Sequence, residues 1–391
     1  MALASLIRRL RLVLGDGSVV TGEAASRGYE CDGLTSYPAA PGVVVLPTGA
    51  EQVRFAVREC VRSGVPFVTR CAGPGPGRPG RGSPPVDGVL IVTSRMRQVI
   101  EVDVPNQRVI VEPGAPNLTV SEVARGHGYC VAPDPDGLVA GTLGENVAEN
   151  SGGARHLKYG SMAGHVTGLE ICTPEGELVW LGTGRAVEAP GYDLVGVFVG
   201  AQGTLGVATK VAVRLTPVPE AAVALLAVFR SPAEAEAAVG AIVATGPSPA
   251  AVEIMDVVVV DVAGGADRPL TAGAVLQVEC DGPAAEVEAQ VAVVDLLCRR
   301  AGGFSVRRAS SQAERADLRW ECAAAPAVSK RILPGPPRTW TDEDFDTMRL
   351  LRRAFDPRGL ASPGTVLPAT RAVGSRHRRC GSREWAGARA W

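Results

Sequence analysis

The chain has 391 residues, 46% of them hydrophobic, with 40 basic against 41 acidic side chains and a formal net charge of −1. That length and apolar content imply a sizeable core and two domains, which excludes a disordered polypeptide. The balanced charge supplies no global basic field, which excludes nucleic acid as the first-choice partner.

The opening MALASLIRRLRLVLGDG is apolar but interrupted by Arg8, Arg9 and Arg11. It is too short and too charged for a signal core or a membrane span. The nine cysteines form no C-x-x-C pair, which points to reduced, mostly buried thiols and a cytoplasmic, soluble protein. GVVVLP at 42–47 reads as a buried strand, and TGAE at 48–51 has capping-box spacing ahead of the helix EQVRFAVRECVRSG. VPFVT at 65–69 closes a strand–helix–strand unit. At its end begins RCAGPGPGRPGRG, residues 70–82. Two readings of it stand open, a disordered linker and a loop that cradles a phosphate. Gly73, Gly75 and Gly77 would let backbone approach an anion closely, while Pro74, Pro76 and Pro79 offer no N–H.

VLIVTS, QVIEVDV and RVIVEPG follow as strands, with Pro105-Asn106 turning between the last two. GLEICT and ELVWLG form a second hairpin across Pro174-Glu175-Gly176. After Pro219 the texture changes. AAVALLAVF, AAVEIMD and AVLQVEC read as strands; SPAE at 231–234 caps a helix with Pro232 at its first position, and EVEAQVAVVDLLCRR reads as an amphipathic helix. That alternation implies helices on one face of an antiparallel sheet. From Thr370 onward the sequence is basic, turn-rich and unpatterned, the composition of a disordered tail.

Two further glycine-bearing stretches carry chemistry. In GTLGENVAENSGGARHLKYG, the small residues Gly144, Ala148, Gly152 and Gly153 would let a flat ligand press against backbone, and a branched side chain at Gly152 would be costly. Asn146, Asn150 and Ser151 would hydrogen-bond its polar edges. GYDLVGVFVGAQGTLGVATKVAVRLTP runs a glycine turn into a strand, and taken alone is also an ordinary β-turn. No G-x-G-x-x-G sits between a strand and a helix, so a Rossmann dehydrogenase is rejected.

Together with YECDGLTSYPAAPGVVVLP, VEPGAPNLTVSEVARGHGYCVAPDPDG and FDPRGLASPGTVLP, these stretches resemble the FAD-binding (PCMH-type) superfamily of vanillyl-alcohol oxidase, in its branch of glycolate oxidase flavoprotein subunits and D-lactate dehydrogenases. The resemblance runs from Tyr29 to Pro368 and implies an α+β chain, a two-lobed FAD-binding domain followed by a shortened ferredoxin-like cap. The implied division is an N-terminal segment 1–37, the FAD-binding domain 38–217, the cap with a C-terminal oxidase helix 218–368, and a tail 369–391. The implied cofactor is FAD, held without a covalent tether. By resemblance, Arg70, Cys71, Ala72, Gly73 and Gly75 begin the loop that holds the pyrophosphate, so the cradle reading of 70–82 prevails. Gly141, Thr142, Gly144, Asn146, Ala148, Asn150, Ser151, Gly152 and Gly153 line the flavin and its ribityl chain. Gly203, Thr204, Gly206 and Val207 close over the adenine side, and Pro133, Asp134, Tyr159 and Gly160 complete the cofactor set.

The implied activity is oxidation of a small D-2-hydroxy acid such as glycolate or D-lactate by hydride transfer to the flavin, with an electron-accepting partner subunit. The alternative is a non-catalytic or degenerate flavin-binding subunit. Departures from the family pattern motivate it. Ala323 stands about where an Arg pairs with the substrate carboxylate, and the short stretch between Lys330 and FDPRGL contains no histidine where the family's metal ligands and base lie. The four histidines are His127, His156, His165 and His377, and His156 reads as a packing residue. No metal site is expected and no catalytic residue is assigned. Glu145 replaces a usual glycine, and Gln202 a usual acidic residue.

Overall fold

The computed structural model describes every residue except 1, 23–25, 30–40, 72–87, 133–140, 185–190, 257–272, 312, 316–340 and 366–391. Ala72, Gly73, Gly75, Pro133, Asp134, Ala323, Lys330 and the tail from Thr370 therefore lie outside the described residues.

Leucines at three- and four-residue spacing make α1 (Ala2–Leu14) one-sided: Leu6, Leu10 and Leu14 are buried while Leu12 is exposed. It packs on α2 (Ala50–Ser63), and Arg9 pairs across to the buried Glu59. The capping-box expectation at 48–51 is off by one residue. Gly49 is the N-cap and makes no side-chain cap bond, while Thr48 bonds through both its N–H and its hydroxyl to Gln52 Oε1, not to Glu51. These helices cover a four-stranded sheet built from β1 (Val19–Val20), β2 (Val43–Val45), β3 (Phe67–Arg70) and β4 (Val89–Val92), in the order β1-β2-β4-β3. Its central pairs are parallel. Val43 and Val45 face the helices while Val44, Val68 and Leu90 fill the opposite side, so the valine runs are buried on both faces.

The second lobe is a five-stranded antiparallel sheet. It comprises β5 (Val99–Asp103), β6 (Arg108–Val111), β8 (Val166–Cys172), β9 (Leu178–Gly182) and β10 (Val207–Arg214), in the order β5-β6-β10-β8-β9. Both expected hairpins form. The short β7 (Tyr129–Cys130) pairs β11 (Thr216–Pro217) beside it. Its apolar face carries α3 (Asn117–Arg125), α4 (Leu143–Glu149) and α6 (Leu194–Phe198), sharing a core with Leu169, Ile171 and Val211. Between α4 and β8 lies the single turn α5 (His156–Tyr159).

The remainder is a β-α-β-β-α-β unit: β12 (Ala221–Phe229), α7 (Pro232–Thr245), β13 (Ala251–Asp256), β14 (Ala274–Gly282), α8 (Ala284–Arg300) and β15 (Ser305–Ala309). Its sheet is antiparallel in the order β13-β14-β12-β15, a ferredoxin-like arrangement. Ser231 caps α7 by accepting from the Glu234 N–H, with Pro232 at the first position, as expected. Both helices cover one face, where Val223, Leu225 and Phe229 meet Val239 and Val291. The other face turns toward α5.

The last described segment does not stay with this sheet. α9 (Asp342–Phe355), opened by a Thr341–Asp344 capping box, sends Leu351 and Phe355 into the core of the five-stranded sheet. The chain then runs beside β3: the Phe67 N–H donates to the Leu360 carbonyl at 2.9 Å, and the Ser362 N–H to the Phe67 carbonyl at 2.8 Å.

Candidate functional site

Two of the three glycine-bearing stretches, and Cys71 at the start of the third, converge on one cleft between the two sheets of the first domain. Thr69, Cys71 and Thr93 line it from the parallel sheet; Gly144, Val147, Ala148 and Phe198 line it from α4 and α6; Gln202, Gly203, Gly206, Val207 and Ala208 close it from the turn into β10. The described lining leaves about 30 Å³ of enclosed space in this open cleft.

The backbone on the α4 side is fixed by its own bonds. Thr142 is the N-cap, its hydroxyl accepting from the Glu145 N–H, and the Gly141 carbonyl accepts from the Asn117 N–H. Gly144 is required sterically. A Cβ there would sit 2.6 Å from Pro113 Cβ, 2.7 Å from Cys71 Sγ and 2.8 Å from the Pro113 carbonyl oxygen. α4 ends at Asn150 in the left-handed region (φ 53°), where its Oδ1 accepts from the Ala163 N–H.

The opposite wall is a tight turn. Gly203 (φ +75°) carries no Cβ because one would lie 2.6 Å from Thr69 Oγ1 and 2.8 Å from Ser362 Oγ, and at Gly206 (φ +138°) one would meet the Cys172 carbonyl at 2.6 Å. Thr204 is buried with its hydroxyl bonded to the Ala201 carbonyl, and Gln202 donates its N–H to the Ala148 carbonyl, tying turn to helix.

Electrostatically the cleft is quiet but for its rim. Burial pushes the Cys71 thiol up to about 12, so it is a neutral small side chain. Burial, reinforced by Glu149 and opposed by Arg70, raises Glu145 to about 7, and its Oε2 is buried without a partner. Arg70, at the end of β3, donates to the Tyr29 carbonyl.

Several expected residues stand elsewhere. Asn146 is committed to structure, its Nδ2 donating to Asn117 Oδ1 at 2.8 Å with both residues buried. At Gly152 a Cβ would stand 2.3 Å from His156 Nδ1 and 3.0 Å from His156 Cβ, so a larger side chain there must shift the exposed imidazole. Ser151 and Gly153 continue the turn into α5; the Ser151 carbonyl accepts from the Met162 N–H, and Gly153 adopts φ 58°. Gly160 (φ +77°) ends α5 in open space. Tyr159 turns away from the cleft toward β14: its Oη donates to Asp281 Oδ2 at 2.8 Å, and Lys158 Nζ donates to the same carboxylate. Arg155 pairs Glu279 at 2.8 Å beside them. Both acids are at most 2% exposed. Burial and Asp281 raise the Tyr159 phenol, which keeps it a donor.

Sequence reasoning missed Thr69, Thr93, Val147, Phe198 and Ala208 in the lining, and Ser362 behind Gly203. The periodicity of VFVGAQ hid α6, and nothing local to Ser362 says that the chain returns to β3. Among the described residues no group of His, Cys, Asp or Glu could hold a metal ion, and no helix is long and apolar enough to cross a membrane.

Comparison with known proteins shows what the chain is similar to. A family described as "FAD binding domain" matches residues 41–182, and one described as "FAD linked oxidases, C-terminal domain" matches residues 218–331 and 334–366. The chain is 40% identical over 290 residues to glycolate oxidase subunit GlcD of Escherichia coli (strain K12), covering 73% of this chain and 58% of that protein. It is 32% identical over 309 residues to the Bacillus subtilis glycolate oxidase subunit GlcD, with 78% and 65% covered, and 29% identical over 239 residues to D-lactate dehydrogenase of Anaerostipes hadrus, with 61% and 50% covered. It thus spans 58–65% of the length of those glycolate oxidase subunits. Among solved structures, alkyldihydroxyacetonephosphate synthase aligns with a TM-score of 0.68 at 18% identity, over 82% of this chain and 64% of that one. At that identity the likeness is one of fold.

Proposed function

The chain belongs to the FAD-linked oxidases, an FAD-binding domain followed by the oxidase C-terminal domain, and on that premise we propose that it holds FAD noncovalently in the cleft described and serves the oxidation of a small D-2-hydroxy acid of the glycolate or D-lactate kind. The observation that carries the reading is the convergence of Cys71, Gly144, Ala148, Gly203, Gly206 and Val207 on a single cleft, although they come from separate stretches of sequence.

The residues present fit a flat dinucleotide. The lining is small and apolar, its glycines cannot accept a Cβ, and Gln202 Oε1 and Ser362 Oγ are buried with no partner within the chain. When bound, FAD supplies a two-electron acceptor for a hydride. The protein's own part is to hold it and to exclude water: Gly144 and Gly203 bring backbone close, while Val147, Phe198 and Val207 give the walls an apolar surface. Glu145 at the rim is compatible with an anionic ligand, because at about pH 7 half of its carboxyl is neutral. His165 donates its Nε2–H to the Tyr159 carbonyl, which leaves Nδ1 buried without a partner, and burial depresses its pKa. None of the six described cysteines is joined in a disulfide.

We place the hydroxy acid under the second sheet, with an electron-accepting partner subunit, on the strength of the relatives called glycolate oxidase subunit. The absence of an Arg at Ala323 and of histidine between Lys330 and Phe355 makes turnover slow, since general-base help alone is worth about 10²–10⁴-fold. The test is anaerobic addition of glycolate or D-lactate to the FAD-loaded protein, with and without Zn²⁺. Slow bleaching of the flavin absorbance, unchanged by the metal, is expected. No bleaching by either acid over hours would leave a flavin-binding subunit instead, and rapid metal-stimulated bleaching would refute the assignment of missing groups.

A further inference from the structure

Gln202, in the cleft lining, and Ser362, directly behind Gly203 of that lining, carry buried polar atoms that satisfy nothing in the protein. Gln202 Oε1 and Ser362 Oγ both lack a hydrogen-bond partner, and Ser362 is 1% exposed. They arrive from opposite ends of the chain, Gln202 from the turn before β10 and Ser362 from the segment that runs beside β3. They share a neighbour: Gln202 precedes Gly203, and Ser362 Oγ stands 2.8 Å from where a Cβ on Gly203 would be. Burying such atoms unpaired costs stability, so an occupant that pairs them is the economical explanation.

The backbone supplies a second, independent observation. Gln202 (φ 53°) and Ser362 (φ 42°) both occupy the left-handed region, and among the described residues only Gln107 and Asn150 join them as non-glycine residues there. Neither Gln nor Ser favours that conformation, and glycine would relax it. Strained non-glycine residues that persist together at one place mark a site where the side chain is needed.

The chemistry of the orphans narrows the occupant. A carboxamide oxygen accepts a hydrogen bond, and a serine hydroxyl accepts or donates one. Ionised phosphate has no proton to give, so the pyrophosphate cannot satisfy Gln202 Oε1. Amine and hydroxyl groups can.

We infer that Gln202 and Ser362 form a two-point clamp on an N–H- or O–H-bearing, uncharged part of the dinucleotide, and that through Ser362 the bound cofactor fastens the C-terminal segment to β3. The inference rests on the proposed placement of FAD and adds which residues grip it and what the grip does. Ser362 is joined to the Phe67 carbonyl by its own N–H, and Arg352 holds the Ala361 carbonyl at 2.7 Å. A ligand bond to the Ser362 hydroxyl therefore adds to a segment already docked on β3, coupling cofactor occupancy to the hold of the C-terminal segment on that strand.

The variants Gln202→Gly and Ser362→Gly test this because they remove the polar group while relieving the backbone. A merely structural role predicts a lower thermal midpoint of the flavin-free protein; the clamp predicts an unchanged or higher midpoint together with FAD bound three- to tenfold more weakly, the net worth of one neutral hydrogen bond. Affinity is read by fluorescence titration with FAD, FMN and ADP. Weakening shared by FAD and ADP places the clamp on the adenosine half, and weakening shared by FAD and FMN places it on the flavin half. Hydrogen exchange supplies the second readout: FAD should slow exchange of the Phe67 and Ser362 amides in the natural protein and much less in Ser362→Gly. Wild-type affinity and exchange in both variants would overturn the clamp while leaving the FAD site standing. Failure of the natural protein to bind FAD would instead overturn the placement on which it rests, and the clamp with it.

Discussion

Replacing Glu145 by Gln should make the protein more stable at pH 8 and leave it little changed at pH 5. The carboxyl at the start of α4 is pushed from its ordinary 4.5 to about 7, first by burial and next by Glu149, with Arg70 only partly offsetting them. The folded value lies above the unfolded one, so the unfolded chain releases this proton first. Stability from the protonated carboxyl is therefore fully present below pH 4.5 and is lost as the pH rises through about 7. At ~1.36 kcal/mol per unit, the loss between pH 5 and pH 8 is about 2.5 kcal/mol. A glutamine keeps the shape, does not ionise, and offers an amide in place of the unpartnered Oε2. The assay is urea unfolding of the flavin-free natural protein and of Glu145→Gln at both pH values. The stability gap between them should open by roughly 2–3 kcal/mol in favour of the variant on going from pH 5 to pH 8. A gap that is the same at the two pH values would refute the claim that this carboxyl is held protonated by its surroundings.

Gly144→Ala should lower the urea midpoint and weaken FAD, because the new methyl is met on three sides by Pro113 and Cys71; the overpacking cost of ~1–3 kcal/mol exceeds the helix-propensity gain of about 1, and a stabilised variant would contradict it. Gly152→Val should retain most FAD affinity, since its obstacle is the movable His156 ring; loss of binding in a titration would return Gly152 to the site. Asp281→Ala strands Lys158 and Tyr159 against β14, a loss of about 3–5 kcal/mol by chemical denaturation, and adding Lys158→Met should restore part of it; no recovery in the double variant would show that the charge is not what the aspartate answers.

What could be read from sequence was what short-range physics dictates. The apolar runs AAVALLAVF and AVLQVEC yield β12 and β14, and Ser231-Pro232 yields the start of α7, because caps and short apolar runs depend on near neighbours. The helix α1 is legible in its leucines rather than in its arginines: Arg8, Arg9 and Arg11 interrupt an apolar run, while Leu6, Leu10 and Leu14 keep one face clean. The glycine stretches pointed to this cleft through resemblance more than through spacing. Spacing alone left residues 70–82 undecided. Individual roles inside it were less legible. Asn146 has the chemistry of a ligand contact, but Asn117, far away in sequence, takes its amide. Tyr159 lies between the glycines of a cofactor motif, yet Asp281 on a distant strand claims it. Ser362 comes to stand behind Gly203 only because the chain returns to β3, a long-range event with no local signature.

The central claim is that this cleft holds one FAD without a covalent bond, and titration of the flavin-free protein with FAD, followed by acid precipitation, tests it most directly. One equivalent per chain should bind with a shifted visible spectrum, and all of the flavin should appear in the supernatant after acid. Absence of saturable binding, or flavin that stays with the precipitated protein, would contradict the account.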